Sequence, residues 1–131
     1  MHDPASFSVA QTRQFLKENS PNYRIAEING EPVGYFRLKL LGTRVQIGAD
    51  LAPEHRGLGL ARPLYLAFSK SVLAPLNVTT VTLRVLKSNV RAQNLYNSMG
   101  FRLEGETNVD FEMERDLTGL IELLEGTEGG S

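Results

Sequence analysis

The chain is predicted to fold as an α/β domain around one mixed, mostly antiparallel central sheet. Three observations carry this. Asn29-Gly30 joins two alternating apolar runs, a strong short-range signal for a β-hairpin. The run 78–86 is apolar and β-branched, as a buried strand should be. It is reached from an earlier strand, 44–51, through a helical stretch, and a crossover of that kind leaves its two strands parallel.

Each element has its own signal. Residues 8–19 read as a helix, with Val9, Phe15 and Leu16 on an apolar stripe, and Ser20-Pro21-Asn22 ends it. Residues 23–28 alternate as a strand, 33–40 form its hairpin partner, and Leu41-Gly42-Thr43 turns the chain again. In 44–51, Val45, Ile47, Ala49 and Leu51 share one face. A helix over 59–73 turns Leu60, Leu64, Ala67, Phe68 and Val72 inward, with Pro63 tolerated in its first turn. Pro75 and Asn77 break it. Ser88 or Asn89 caps the next helix, which ends near Gly100. Residues 101–105 and 109–117 read as closing strands, so 1–117 is expected to form a single domain. Residues 118–131 carry a weak helical turn (Leu120, Ile121, Leu123, Leu124) and an acidic tail expected to be disordered at its end.

Composition narrows the function. At 131 residues the chain has the size of one domain. It has no cysteine, which excludes disulfides, thiolate metal sites and cysteine nucleophiles. The N-terminus lacks the basic and apolar regions of a signal peptide. No apolar run reaches the length of a membrane span, so a cytoplasmic protein with no membrane partner is expected. A net charge of −1 argues against nucleic-acid binding. The charge is uneven: residues 101–131 hold nine acidic and two basic residues, residues 1–100 six acidic and twelve basic. A basic body suits a polyanionic cofactor, and an acidic C-terminal third suits a cationic amine, although most of these charges also fit ordinary solvated faces. His2 and His55 make no metal-ligand pattern, and no Gly-x-Ser-x-Gly is present, so neither a metal nor a serine triad is implied.

Two stretches carry the chemistry. Arg56-Gly-Leu-Gly59-Leu-Ala61 lies between a strand and a helix. Glycine lets backbone N–H groups converge, a helix N-terminus directs unpaired N–H groups at an anion, and Arg56 adds a forked charge that fits phosphate oxygens. Taken alone, the turn reads first as a strand-to-helix connection that needs glycine for geometry. It is not a P-loop, because Gly59 is followed by Leu60 and Ala61 rather than Lys-Ser/Thr. It is not the dinucleotide fingerprint either, because Arg62 stands where the third glycine belongs. About thirty residues on comes Asn89-Val-Arg-Ala92-Gln-Asn-Leu95-Tyr96-Asn-Ser-Met-Gly100-Phe101, in which Asn89, Ala92 and Tyr96 share one helix face. By spacing alone Tyr96 fits a core aromatic and Asn89 a helix cap.

Together the two stretches resemble the GNAT superfamily of acyl-CoA-dependent N-acetyltransferases: the first its Arg/Gln-x-x-Gly-x-Gly/Ala motif, with the approach Leu51-Ala-Pro53-Glu54-His-Arg56, the second its next segment. The resemblance covers roughly residues 20–116. It implies acetyl-CoA as cosubstrate, lying between strands 44–51 and 78–86, which would splay apart, with helices on both faces of the sheet. It implies that the backbone of Ala49, Asp50 and Leu51 holds the pantetheine arm. The amides of Gly57, Leu58, Gly59, Leu60 and Ala61, with Arg56, would hold the pyrophosphate, and Asn89 would add a contact. Tyr96 would protonate the departing thiolate while an amine attacks the thioester directly. The amine must first lose a proton, and Asp50 is favoured over Glu54 as its acceptor.

The acceptor is expected to be a small-molecule amine such as an amino sugar, with a protein or peptide amine as the alternative. A non-catalytic acyl-CoA-binding module is a third reading. Too few residues precede the helix placed at 8–19 for the strand with which the family begins. That first strand is therefore expected to be absent, and its exposed edge to be covered by a second copy in a homodimer or by further chain.

Overall fold

The computed structural model describes residues 7–11, 22–56 and 59–126. Seven strands form one sheet: β1 (Phe7–Gln11), β2 (Asn22–Ile28), β3 (Glu31–Leu41), β4 (Arg44–Leu51), β5 (Thr80–Leu86), β6 (Arg102–Glu106) and β7 (Asp110–Asp116). Their spatial order is β1-β2-β3-β4-β5-β7-β6, and every neighbouring pair is antiparallel except β4–β5. The expected hairpin forms with Asn29 at φ +53° and Gly30 at φ +82°, the two left-handed residues that a tight hairpin turn demands.

Two expectations for the N-terminal segment need correction. Residues 8–11, read as the start of a helix, belong to strand β1; the rest of the 8–19 reading falls on 12–19, outside the described residues. The strand expected to be absent from the sheet's N-terminal edge is β1 itself, pairing Phe7 with Ile28 and Val9 with Ala26. Period-two packing prevails over the helical stripe because Phe7 and Val9 both turn onto the core.

The crossover from β4 to β5 runs through α1 (Ala61–Phe68), which continues into a π-helical turn, Ser69–Leu73, and a 3-10 turn, Ala74–Leu76. Asn77, at φ +59°, ends this path as its neighbour Pro75 foreshadowed. Gly59 lies outside the helix at φ +73°. After β5 come α2 (Val90–Ser98), β6 and β7, and then α3 (Leu117–Glu125). The weak helical turn read around Leu120, Ile121, Leu123 and Leu124 is thus a nine-residue helix, capped by Asp116, whose side chain accepts from the Gly119 amide, and closed by Gly126 at φ +77°. Residues 127–131 lie outside the described residues.

One core joins these elements. Phe36, Leu38, Val45, Ile47, Val81 and Leu83 on the sheet are buried with Leu64, Tyr65 and Phe68 of α1, Met99 and Phe101 after α2, and Leu117 and Leu120 of α3. The ring of Phe36 stacks on Phe68 and meets Tyr65 edge-on. Helices were expected on both faces; the described helices share this one. The opposite face presents Tyr23, Tyr35, Arg37, Lys39, Gln46 and Arg84, exposed or half-buried, along the same strands. No helix among the described residues is long and apolar enough to cross a membrane.

Candidate active site

The parallel ladder between β4 and β5 is short. It runs from Arg44–Thr80 to Ile47–Leu83 and stops, although β4 continues to Leu51 and β5 to Leu86. Both strands stay paired on their outer sides, β4 with β3 as far as Gly34–Leu51 and β5 with β7 as far as Leu86–Asp110. The sheet therefore opens at its centre, as the sequence reading expected. Residues 48–51 carry backbone polar groups that face the gap without a ladder partner.

A cleft of about 300 Å³ lies at this opening, lined by Leu51, Arg56, Gly59, Leu60, Ala61, Asn89, Arg91, Ala92 and Leu95. The two sequence stretches thus meet in space. Most of the lining is apolar, with two guanidinium groups among it. Sequence reading singled out Leu51, Arg56, Gly59, Leu60, Ala61 and Asn89, and the fold brings all six together. It named Ala92 only as part of a helix face and missed Arg91 and Leu95. Arg91 lies two residues past a cap residue already singled out, on the first turn of α2, and that position was the available signal. Gly57 and Leu58 lie outside the described residues.

Local causes position each wall. Leu60 begins α1 with no side-chain cap, so the first-turn amides of that helix keep their hydrogen-bonding capacity for a bound group. A Cβ built on Gly59 would meet nothing within 4 Å, so the backbone there is open to close approach. Asn89 caps α2 by accepting from the Ala92 amide at 3.1 Å, and it lines the cleft as well. Gly100, at φ +84°, and Phe101 end the second stretch structurally: Phe101 is buried and its amide donates to the Tyr96 carbonyl at 3.0 Å.

Arg56 is held at the mouth. Its Nε donates to the Leu51 carbonyl at 2.9 Å and its Nη2 contacts Asp50 Oδ1 at 3.1 Å. Asp50 does not line the cleft; its side chain is exposed on the opposite face of β4 from Ala49 and Leu51 and is engaged by Arg56. Ala49 pairs with Phe36 and packs against the core. Tyr96 lies one turn beyond Ala92, next to the lining residue Leu95 but not itself among the lining residues, with its hydroxyl 3.0 Å from that of Tyr65. Burial pushes the Tyr65 hydroxyl well above the usual phenol range, and the neighbouring Tyr96 adds to this. Tyr96 is raised too, chiefly by burial, with the hydrogen bond from Tyr65 pulling the other way. Both phenols therefore carry their protons at neutral pH. Tyr65 was read as neither a core nor a site residue, because its partner stands thirty-one residues away and no local pattern links them.

Comparison with known proteins agrees with this geometry. An N-alpha-acetyltransferase of Sulfurisphaera tokodaii is 33% identical over 102 residues, with 68% of this chain and 61% of that protein covered. The chain thus spans about three fifths of the length of that relative. Among solved structures, an uncharacterized protein from Bacillus halodurans superposes with a TM-score of 0.71 at 16% identity, covering 86% of this chain and 69% of that one. The spermidine N-acetyltransferase of Vibrio cholerae, in complex with CoA and spermine, gives 0.68 at 23% identity, covering 79% and 70%. The model of the acetyltransferase (GNAT) family matches residues 2–101, which is most of the chain, and the protein belongs to that family.

Proposed function

We propose that the chain is an N-acetyltransferase that moves an acetyl group from acetyl-CoA to a primary amine. The observation that carries this reading is the cleft itself. A sheet opened at its centre, an apolar channel and an arginine at an uncapped helix start together suit a ligand with an extended amide-bearing arm and an anionic end. The relative and the CoA-bound neighbour support the same cosubstrate.

When bound, acetyl-CoA supplies an activated acyl group and a thiolate leaving group. The residues of this chain do the rest. The backbone groups of 48–51 that face the gap take up the arm as a strand edge would, with Ala49 and Leu51 on the core side of β4 and Asn89 across from it. The amides of Gly59, Leu60 and Ala61, with those of Gly57 and Leu58, and the guanidinium of Arg56 hold the pyrophosphate. Arg56 exchanges its contact with Asp50 for that phosphate, while the proton that the amine must lose passes to solvent, because the Asp50 carboxylate stands on the other face of β4. Tyr96, kept protonated by burial, gives its proton to the departing sulfur.

For the acceptor, the short Thr107–Val109 connection between β6 and β7 offers little material for a substrate lid, which suits a small-molecule amine such as an amino sugar. The 33% identical N-alpha-acetyltransferase favours a second acceptor, the α-amine of a polypeptide. The test is titration with acetyl-CoA against ATP and NAD, then thiol release with amino sugars, polyamines and short peptides as acceptors. Stoichiometric acetyl-CoA binding and turnover with one acceptor class are expected. Binding without turnover on any amine would leave an acyl-CoA-binding module, and no binding would sink the reading.

A further inference from the structure

Tyr65 has an unusual position for a polar side chain. Its ring is 3% exposed, wedged edge-on between Phe36, with centroids 5.2 Å apart, and Tyr96, with centroids 6.1 Å apart. Its hydroxyl has one hydrogen-bond partner among the described residues, the Tyr96 hydroxyl at 3.0 Å. A buried O–H left without an acceptor costs its full desolvation. If Tyr65 accepted the bond, its own proton would be stranded; if Tyr65 donates, that proton is satisfied. Tyr96 is half-buried, and its own proton is then free to point away from the core.

We infer that Tyr65 is a positioning residue for acetyl transfer: its O–H, donated to the Tyr96 oxygen, turns the Tyr96 proton toward the cleft and steadies the phenolate left behind. The inference rests on Tyr96 acting as the acid. As the acyl carbon–sulfur bond breaks, its electron pair goes to sulfur, and the Tyr96 O–H bond breaks to form S–H. The amine that forms the new carbon–nitrogen bond releases one proton, and solvent returns a proton to Tyr96. During this step the Tyr65 bond changes from neutral to charge-assisted, and bonds of the second kind are about twice as strong. The gain arises only as charge develops on Tyr96, so it acts on kcat and leaves cofactor binding alone.

The experiment is Tyr65→Phe, which keeps the ring and its edge-on contacts, set beside Tyr96→Phe and the double variant. Turnover is followed with acetyl-CoA and three acceptors: spermine, glucosamine and an alanine-starting peptide. Expected is a fall in kcat of ~10-fold for Tyr65→Phe at unchanged acetyl-CoA affinity, and no further fall when it is added to Tyr96→Phe. An independent readout is the alkaline titration of [13Cζ]tyrosine-labelled protein without cofactor: the Tyr96 midpoint should rise when the Tyr65 donor is removed. An unchanged Tyr96 midpoint, or effects that multiply in the double variant, would overturn the inference. Loss of kcat in Tyr96→Phe with none in Tyr65→Phe overturns it and leaves Tyr96 as the acid. An unchanged kcat in Tyr96→Phe overturns both.

Discussion

The rings of Phe36 and Phe68 stack with their planes 3° apart and their centroids separated by 4.2 Å, which fastens β3 to α1. Both rings are almost fully buried. Phe68→Ala should lower stability by about 3–5 kcal/mol, through lost transfer energy and the cavity left behind. Urea unfolding measures it. A loss below about 1 kcal/mol would mean that α1 collapses readily onto the vacated space.

Arg56 should divide binding from chemistry. Arg56→Ala is expected to weaken acetyl-CoA binding ~10-fold or more by removing a charge-assisted contact of about 1.5–3 kcal/mol, while kcat at saturation changes little. Calorimetry and steady-state kinetics separate the two. Asp50→Asn, by contrast, should leave kcat nearly unchanged, because its carboxylate stands on the other face of β4 from the cleft. A large fall in kcat would restore Asp50 as the proton acceptor.

Gly34 is a steric requirement rather than a flexible joint. A Cβ there would come within 2.2 Å of the Asp50 carbonyl oxygen and 2.9 Å of the Leu51 Cα. Backbone atoms cannot yield as a flexible side chain does, so Gly34→Ala must push the end of β4 away from β3. Expected are a stability loss of about 1–3 kcal/mol and a larger proportional loss of acetyl-CoA affinity than in Phe68→Ala at matched stability. Thermal melts with and without acetyl-CoA test both.

The tyrosine pair sets an alkaline limit. Tyr65 and Tyr96 both ionise above the ordinary phenol value in the folded state. Above that value the unfolded chain has released protons that the folded chain still holds, so the unfolded state is favoured as pH rises. Their contribution is fully present below about pH 10 and is lost progressively above it, by up to about 1.4 kcal/mol per pH unit for each tyrosine. In Tyr65→Phe this decline should be shallower. Unfolding free energies measured in steps from pH 9 to 11 decide the matter.

Much of the architecture was legible because it is locally encoded. Asn29-Gly30 specifies its hairpin through two left-handed residues, and the alternation of Val45, Ile47, Ala49 and Leu51 shows which face of β4 is inward. The cleft was legible because its two walls are contiguous stretches, each with its own glycine, asparagine or charge pattern. The failures are non-local. Phe7 and Val9 fit a strand only because β2 offers Ile28 and Ala26 as partners. The helix over Leu117–Glu125 carries Thr118 and Gly119, poor helix formers, and is held by burial of Leu120. Tyr65 acquires a role only from a hydroxyl on another helix. Asp50 was drawn to the cleft by its neighbours in sequence, but strand alternation turns its side chain to the other face.

The gap between β4 and β5 makes the sheet two smaller sheets, four strands and three, stitched by four residue pairs. Folding alone leaves this seam half closed, and the missing stitches are ones that a ligand can supply. In the free protein the gap-facing amides of 48–51 should exchange with deuterium faster than the amides on the same side of the strand in 45–47, and a bound cofactor should slow them. The binding energy then counts as folding energy: at a hundred times its dissociation constant, acetyl-CoA adds about 2.7 kcal/mol. Without that ligand the molecule is looser along its midline, so an unliganded copy is more exposed to proteolysis than a bound one.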